Sequence, residues 1–277
     1  MTTHPTLSIV IPAYRNASTI RETISSVLSQ EGIDLELIIA DHTSDDGTRA
    51  VAEEFAEDPR VTIVDTPAGG GAPRNWNRVT SLAGGAYLKL VCGDDVLRPG
   101  VLARQVRLLQ TSGAVLTACR RDIIDASGRT LFAGWGLRGL GRRMPGPEAA
   151  RRALRAGSNL FGEPASVMMR RDALEQSGGW FADFPYLIDQ ATYTRVLEHG
   201  EFVPDLTVGA TFRMSASQWS VALSRSQARQ ARAFHAWFRA QRPDVVSRLD
   251  VMIGDARATA MAHLRKLSYT LLKRRMR

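Results

Sequence analysis

Within the first 110 residues, short apolar runs alternate with stretches whose apolar residues recur at helical spacing, and this alternation restricts the fold more than any other feature. Residues 7–11 (LSIVI) form an apolar, β-branched run closed by Pro12, after which Ile20, Ile24, Val27 and Leu28 fall on one helical face. A second strand is expected at 35–40, ended by the polar cluster DHTSDDGT, with Ala50, Val51 and Phe55 marking the next helix. The pattern repeats with strands at 61–64 and 86–91 and helices at 75–82 and 101–109. Strands alternating with helices specify a mostly parallel α/β sheet flanked by helices on both faces. Ligands of such sheets bind beyond the carboxyl ends of the strands, so PAYRN, DHTSDDGT and GDD are expected on one shared edge.

The second half is less regular. A fifth strand is expected at 115–118, while residues 133–148 (AGWGLRGLGRRMPGPE), rich in glycine, proline and arginine, read as a mobile loop. Helical spacing returns at 148–155, 171–177 and 189–198, with short strands near 202–213 and a mostly helical chain from about 222 onward. The expected organisation is one domain over 1–221, with halves of about 1–110 and 111–221, followed by a helical C-terminal extension over 222–277.

With 277 residues, 44% hydrophobic and 23% charged, the chain can bury a sizeable core. Two cysteines, Cys92 and Cys119, are too few for a disulfide framework or a zinc-ligand cluster, which favours a reducing compartment and oxygen ligands for any metal. No leader pattern opens the chain and no apolar run reaches the ~20 residues that cross a bilayer, so a soluble or peripheral protein is expected. The formal net charge of +8 favours an anionic partner. Its basic clusters at 138–155 and at the C-terminus carry few interleaved aromatics, which ranks nucleic acid behind lipid or phosphate.

Asp94 and Asp95 end an apolar strand. Two adjacent carboxylates repel and lose hydration unless a cation or hydrogen-bond donors compensate them. Mg²⁺ is commonly held by one or two carboxylates together with substrate phosphates. The bland alternative is an exposed turn leading into the helix that follows Arg98-Pro99-Gly100.

The segments LSIVIPAYRNASTIRETISSVLSQ, LELIIADHTSDDGTRAV and GGGAPRNWNRVTSLAGGAYLKLVCGDDVLRPG together resemble the family 2 inverting glycosyltransferases, which have the GT-A fold. The resemblance covers about residues 7–110 and resumes at SGGWF (177–181) and YLIDQATYTRVLEHG (186–200). It implies a nucleotide-sugar donor, a saccharide or lipid-linked acceptor, and a Mg²⁺ or Mn²⁺ cofactor. By position it implies that Pro12, Ala13 and Tyr14 form a turn beside the base, that Asp41 contacts ribose or base, and that Arg74 reaches phosphate or base. It further implies that Asp94, supported by Asp95, holds the metal near the diphosphate, and that Asp189 is the catalytic base. Gly162, Glu163 and Pro164 are implied to line the sugar pocket.

Beside these implied roles stand plainer ones. Asp189 could cap its helix, and Asp41 could be merely solvated beside a helix start. Trp135, Trp180 and Trp219 are candidates either for an acceptor groove or for the core. The chain also departs from the family pattern, with His42 where a second acid is usual, Cys92 for the leading acid of an Asp-x-Asp-Asp motif, Ile188 for the first acid of a Glu-Asp pair, and Ser215 in place of a metal-binding histidine.

Near the C-terminus, Leu264, Leu267 and Leu271 share one helical face ahead of a basic tail, a pattern that either lies on an anionic membrane or packs on its own domain. The reading is an inverting glycosyltransferase of cell-surface polysaccharide or glycoconjugate synthesis, cytoplasmic or at the inner face of the membrane. The alternatives are a nucleotide-binding, non-catalytic relative and a nucleotidyltransferase on a similar sheet.

Overall fold

The computed structural model describes residues 5–214 and 226–272, with the side chains of 265–272 outside that description. Ser215 and Trp219 lie outside it, as does the basic tail from 273. The first half runs β1 (Leu7–Ala13), α1 (Ile20–Leu28), β2 (Leu35–Asp41), α2 (Thr48–Glu53), β3 (Val61–Asp65), α3 (Gly71–Thr80), β4 (Tyr87–Leu90) and α4 (Val101–Ser112). The second half runs β5 (Leu116–Ile124), β6 (Thr130–Trp135), β7 (Met144–Pro145), α5 (Gly146–Ala156), β8 (Val167–Arg170), α6 (Arg171–Gln176), α7 (Ile188–Val196), β9 (Glu201–Arg213), α8 (Gln227–Gln241) and α9 (Arg248–Leu272).

The strands form one sheet in the order β3-β2-β1-β4-β8-β5-β9-β7, with β6 paired to β5. It is parallel from β3 to β4 and mixed beyond, where β8 runs antiparallel to both β4 and β5 while β9 runs parallel to β5. Successive residues of a strand face opposite sides. Accordingly Leu7, Ile9 and Ile11 of β1 join one apolar cluster, with Ile20, Ile24 and Val27 of α1 and Val101, Leu102 and Val106 of α4. Val10 joins the other, with Val79 of α3 and residues of α5, α7 and α8. Both faces of the sheet are therefore covered, which is why its central strands read as unbroken apolar runs.

Three expectations change. Pro12 and Ala13 are buried residues of β1, paired with Ala40 and Asp41, and the chain turns only at Tyr14. The strand tolerates Pro12 because its nitrogen faces the β4 side, where pairing has stopped at Val10. The stretch 133–148 is packed rather than loose: Leu137, Leu140 and Met144 are 4%, 0% and 3% exposed, and β7 pairs with β9. Apolar residues spaced through an arginine- and glycine-rich run were enough to anchor it. Trp180 is a core residue, its ring 4.9 Å edge-on from Trp76 and its Nε1 donating to Thr80 Oγ1 at 2.8 Å, so it lines no groove.

Helix α8 adds Ala231, Phe234 and Phe238, and α9 adds Ala258, to the cluster that α5 and α7 share. Fully buried Asp250 of α9 receives Arg151 Nε at 2.9 Å and Nη2 at 3.1 Å, and also pairs with Arg155. These contacts tie α9 to α5.

Candidate active site

The carboxyl ends of β1 and β2 are joined by one buried side chain. Asn75 of α3 donates through Nδ2 to the carbonyls of Ala13 and Ala40, both at 3.2 Å, and accepts from Thr66 Oγ1 at 2.6 Å. Beside it, Asp41 is 3% exposed; its Oδ2 accepts the Ser44 N–H at 3.0 Å, while Oδ1 is buried with no hydrogen-bond partner among the described residues. An unpaired buried carboxylate oxygen is costly unless a ligand donor meets it. Tyr14 is half exposed, with its ring 5.8 Å from that of His42, whose Nε2 lies 2.9 Å from the Gly69 carbonyl oxygen. Arg74 is exposed at the start of α3 and donates to Ala68 O at 2.9 Å, folded against a glycine loop (Gly69–Gly71) whose three φ angles are all positive. At Gly70 a Cβ would come 2.8 Å from Arg74 Cβ, so the loop needs glycine there.

Asn16 links this corner to the carboxylate loop. It accepts the Tyr14 N–H at 2.9 Å, and its Oδ1 lies 2.7 Å from where a Gly93 Cβ would stand, so only glycine lets the two loops meet. Next in the chain, the ligand atoms of Cys92, Asp94 and Asp95 all lie within 4.8 Å of one another. Arg213, at the end of β9, braces the pair: its backbone N–H donates to Asp95 Oδ1 at 3.1 Å and its Nε to the Asp94 carbonyl at 3.0 Å. Asp95 Oδ2 is buried and meets no donor among the described residues. Burial, and then the charge of Asp94, push Asp95 well above the usual carboxylate range. A divalent cation would reverse both effects, and two hard oxygen donors suit one. Burial, reinforced by the surrounding acids, holds the Cys92 thiol well above its usual value.

After burial, the charges of Asp95, Asp94, Asp189 and Glu163 add to the shift at Cys92, so all four carboxylates lie within electrostatic reach of that thiol. Asp189 lies in the first turn of α7. Its Oδ2 accepts Asn159 Nδ2 at 2.8 Å and its Oδ1 accepts the Gln190 N–H at 2.7 Å, while the N-cap position of α7 is Leu187, so Asp189 does not cap the helix. Burial raises it to about 6, against the opposing pull of the Gln190 N–H and the Asn159 amide and with a smaller push from Glu163. A carboxylate with that affinity is a competent proton acceptor near neutral pH. Glu163 ion-pairs with Arg121 of β5, and Gly162 and Pro164 beside it are buried.

The glycosyl transferase family 2 model matches residues 8–178, more than half of the sequence, from within β1 to just past the end of α6. The chain belongs to glycosyl transferase family 2. An uncharacterized protein of Mycobacterium tuberculosis is 31% identical over 199 residues, 70% of this chain and 62% of that protein. The succinoglycan biosynthesis protein ExoO of Rhizobium meliloti is 33% identical over 129 residues, 46% of this chain and 36% of that one. The aligned region thus spans less than two thirds of either relative. Among solved structures, a mannosyltransferase from Pyrobaculum calidifontis in complex with GDP-Man and Mn²⁺ superposes with a TM-score of 0.63 at 17% identity, covering 98% of this chain and 81% of that one. At that identity the likeness shows the fold, which is GT-A. Divalent metal is common in that fold, and the Cys92–Asp94–Asp95 group is consistent with one.

In this family 2 chain the residues singled out from sequence fall into two neighbouring groups. Tyr14, Asp41 and Arg74 gather at the β1–β2–α3 corner, with Pro12 and Ala13 in the strand beneath. Asp94 and Asp95 lie beside Cys92, with Glu163 and Asp189 within electrostatic reach of it. Trp135 ends β6 and is 55% exposed, 5.9 Å from the ring of Phe132. Asn159, Arg121 and Arg213 were not anticipated as site residues, because each acts on a partner distant in sequence.

Proposed function

We propose that this chain is an inverting glycosyltransferase that moves a sugar from a nucleoside-diphosphate donor to an acceptor hydroxyl. The observation that supports the proposal is the Asp94–Asp95 pair beyond β4, with an Asp95 oxygen that meets no donor among the described residues, together with Asp189, raised to about 6 and held by Asn159 in the first turn of α7. Asp189 takes the proton of the acceptor hydroxyl as that oxygen forms its bond to the anomeric carbon. The bond from that carbon to the diphosphate breaks on the opposite side, and its electron pair leaves with the nucleoside diphosphate. One base suffices, and no covalent sugar intermediate is needed.

Asp94 and Asp95 would hold Mg²⁺ or Mn²⁺, which supplies positive charge to the leaving diphosphate. Tyr14 and Asp41 seat the nucleoside, the unpaired Asp41 Oδ1 accepting from it, and Arg74 offers a planar fork to phosphate. Gly162, Glu163 and Pro164 line the sugar pocket and Trp135 the acceptor side. Trp135 has the exposed ring that stacking on a saccharide requires.

The acceptor is a saccharide or lipid-linked saccharide of a cell-surface polymer, and the work is done on the cytoplasmic side of the membrane. Among the described residues no helix is long and apolar enough to cross a membrane. Contact instead runs through α9, where Leu249, Met252 and Leu264 are 59%, 67% and 58% exposed ahead of the basic tail.

The test is a panel of UDP-, GDP- and dTDP-sugars with and without Mn²⁺. Thermal stabilisation by one donor, and its cleavage by wild type but not by Asp189→Asn, is the expected result. Binding without cleavage of any donor would show a non-catalytic relative instead.

A further inference from the structure

Arg121 has an unusual setting. Its side chain is 4% exposed, whereas that of its ion-pair partner Glu163 is 27% exposed and so reaches open space. The guanidinium is caged by two glycines in left-handed conformations: a Cβ at Gly136 (φ +115°) would lie 2.6 Å from Arg121 Nη1, and one at Gly162 (φ +100°) 2.8 Å. The same Nη1 lies 3.5 Å from the Trp135 carbonyl oxygen, the long end of hydrogen-bond range. One side chain therefore fixes β5, the end of β6 and the Gly162–Glu163 turn relative to one another. The turn is held from beneath as well, with Gln105 Nε2 donating to Ser166 O at 2.9 Å and fully buried Lys89 Nζ donating to Val167 O at 3.2 Å.

A turn already anchored from below does not need a buried arginine for its own stability, since removing a charge from water is expensive. What Arg121 adds is a fixed direction for the Glu163 carboxylate. Asn159 Nδ2 donates to the Gly162 carbonyl oxygen and to Asp189 Oδ2, each at 2.8 Å, so the turn that carries Glu163 abuts the proposed base, and the Glu163 charge reaches Asp95 as well. On the glycosyltransferase reading the transferred hexose lies between the diphosphate and that base.

We propose that Arg121 is a positioning residue that aims Glu163 at the hydroxyls of the transferred sugar, so that the Arg121–Glu163 pair sets which hexose the donor carries. This rests on the glycosyltransferase reading for its substrate, but its test is made on binding. A carboxylate fixed by an ion pair accepts from hydroxyls in one geometry only. It therefore distinguishes axial from equatorial hydroxyls, which an apolar wall does not.

The experiment compares wild type with Arg121→Met, Arg121→Lys, Glu163→Gln and the Arg121→Met/Glu163→Gln double variant. Calorimetry with Mn²⁺ measures the affinity of the preferred nucleoside diphosphate, of its sugar conjugate, and of the conjugate carrying the C4-epimeric hexose. Nucleoside diphosphate affinity should stay within about threefold, while the added affinity of the preferred conjugate and its preference over the epimer should each fall about 10- to 100-fold. The double variant should be no worse than Arg121→Met alone, because both changes remove one interaction. Arg121→Lys should recover part of the preference.

Unchanged epimer preference in Glu163→Gln would overturn the proposal, as would losses that multiply in the double variant or that fall equally on the bare nucleotide. Failure of all variants to bind nucleotide, with wild type binding, would also count against it by assigning Arg121 and Glu163 to the fold alone. A wild type that binds donors with epimer preference but never cleaves them refutes the transferase reading and leaves this test valid. A wild type that binds no nucleotide refutes both.

Discussion

Asn159 Nδ2 donates to Asp189 Oδ2 and to the Gly162 carbonyl, each at 2.8 Å, so a single amide couples the proposed base to the turn that carries Glu163. The Asn159 Oδ1 in turn accepts the N–H groups of Phe161 and Gly162 at 3.1 and 3.2 Å. Both ends of the amide are thus committed, and it cannot rotate without losing a partner.

Asn159→Ala should reduce kcat by about 10- to 100-fold through misplacement of the base, with little change in donor affinity. The amide stabilises the charged form of Asp189, so its loss raises Asp189 further above its ordinary value. Activity requires the ionised carboxylate. The acid limb of the pH–rate profile, expected near 6 in the wild type, should therefore move to higher pH in the variant. An unmoved limb would remove Asn159 from this role.

Asp189→Asn should lower turnover by about 10³-fold or more while nucleotide binding persists. It should also melt higher than wild type at pH 7.5. A carboxyl held at about 6 against 3.8 favours folding while protonated, and this advantage is lost as the pH rises through about 6. At pH 7.5 the ionised group costs about 3 kcal/mol, which the neutral amide avoids. At pH 3, below both values, the penalty is absent and the two melting curves should converge.

Asp94→Asn should remove the additional thermal stabilisation that Mn²⁺ gives to the nucleotide-bound protein. Chelation of wild type should do the same reversibly. Loss of a 100-fold affinity gain corresponds to about 2.7 kcal/mol of ligand stabilisation, well within the reach of a thermal-shift measurement. Stabilisation by Mn²⁺ that is unchanged in Asp94→Asn would place the ion elsewhere.

Asp250→Ala should destabilise the protein by roughly 2 kcal/mol or more, since it strips Arg151, Arg155 and the Ser247 N–H and hydroxyl of a shared buried acceptor. Although burial opposes ionisation, the hydrogen bonds from Arg151, Ser247 and Arg155 prevail and hold Asp250 below its ordinary value. Its stabilisation is present above the unfolded value of about 4 and is lost as pH falls below it. Wild type should lose more stability than Asp250→Ala between pH 5 and pH 3, as read by urea unfolding. Equal losses would mean that this carboxylate does not govern the docking of α9.

Much of the fold was legible because its signals are local. Ile20, Ile24 and Val27 share a helix face through spacing alone, and the apolar runs of β1 and β2 declare strands covered on both sides. The carboxylates at the strand ends were legible too, since Asp94 and Asp95 terminate an apolar run where hydrophobicity alone would not put them. Less was legible in 133–148, where glycine and arginine masked three apolar anchors. The extent of β1 was hidden as well, since whether Pro12 is tolerated depends on where its neighbour β4 stops pairing.

The sequence by itself determined the order of strands and helices as far as α4 and which acidic residues would stand at the sheet edge, because side-chain periodicity and residue chemistry act over a few positions; β6 and β7 carried no such signal. Only the tertiary structure decided what surrounds those acids. Asn159 reaches Asp189 across 30 positions and Arg213 reaches Asp95 across 118, so neither pairing leaves a periodic trace. The proton affinity of Asp189 was decided there too. It follows from how much water the folded chain excludes around one carboxyl and which donors it leaves beside it, and both are set by segments far apart in the chain.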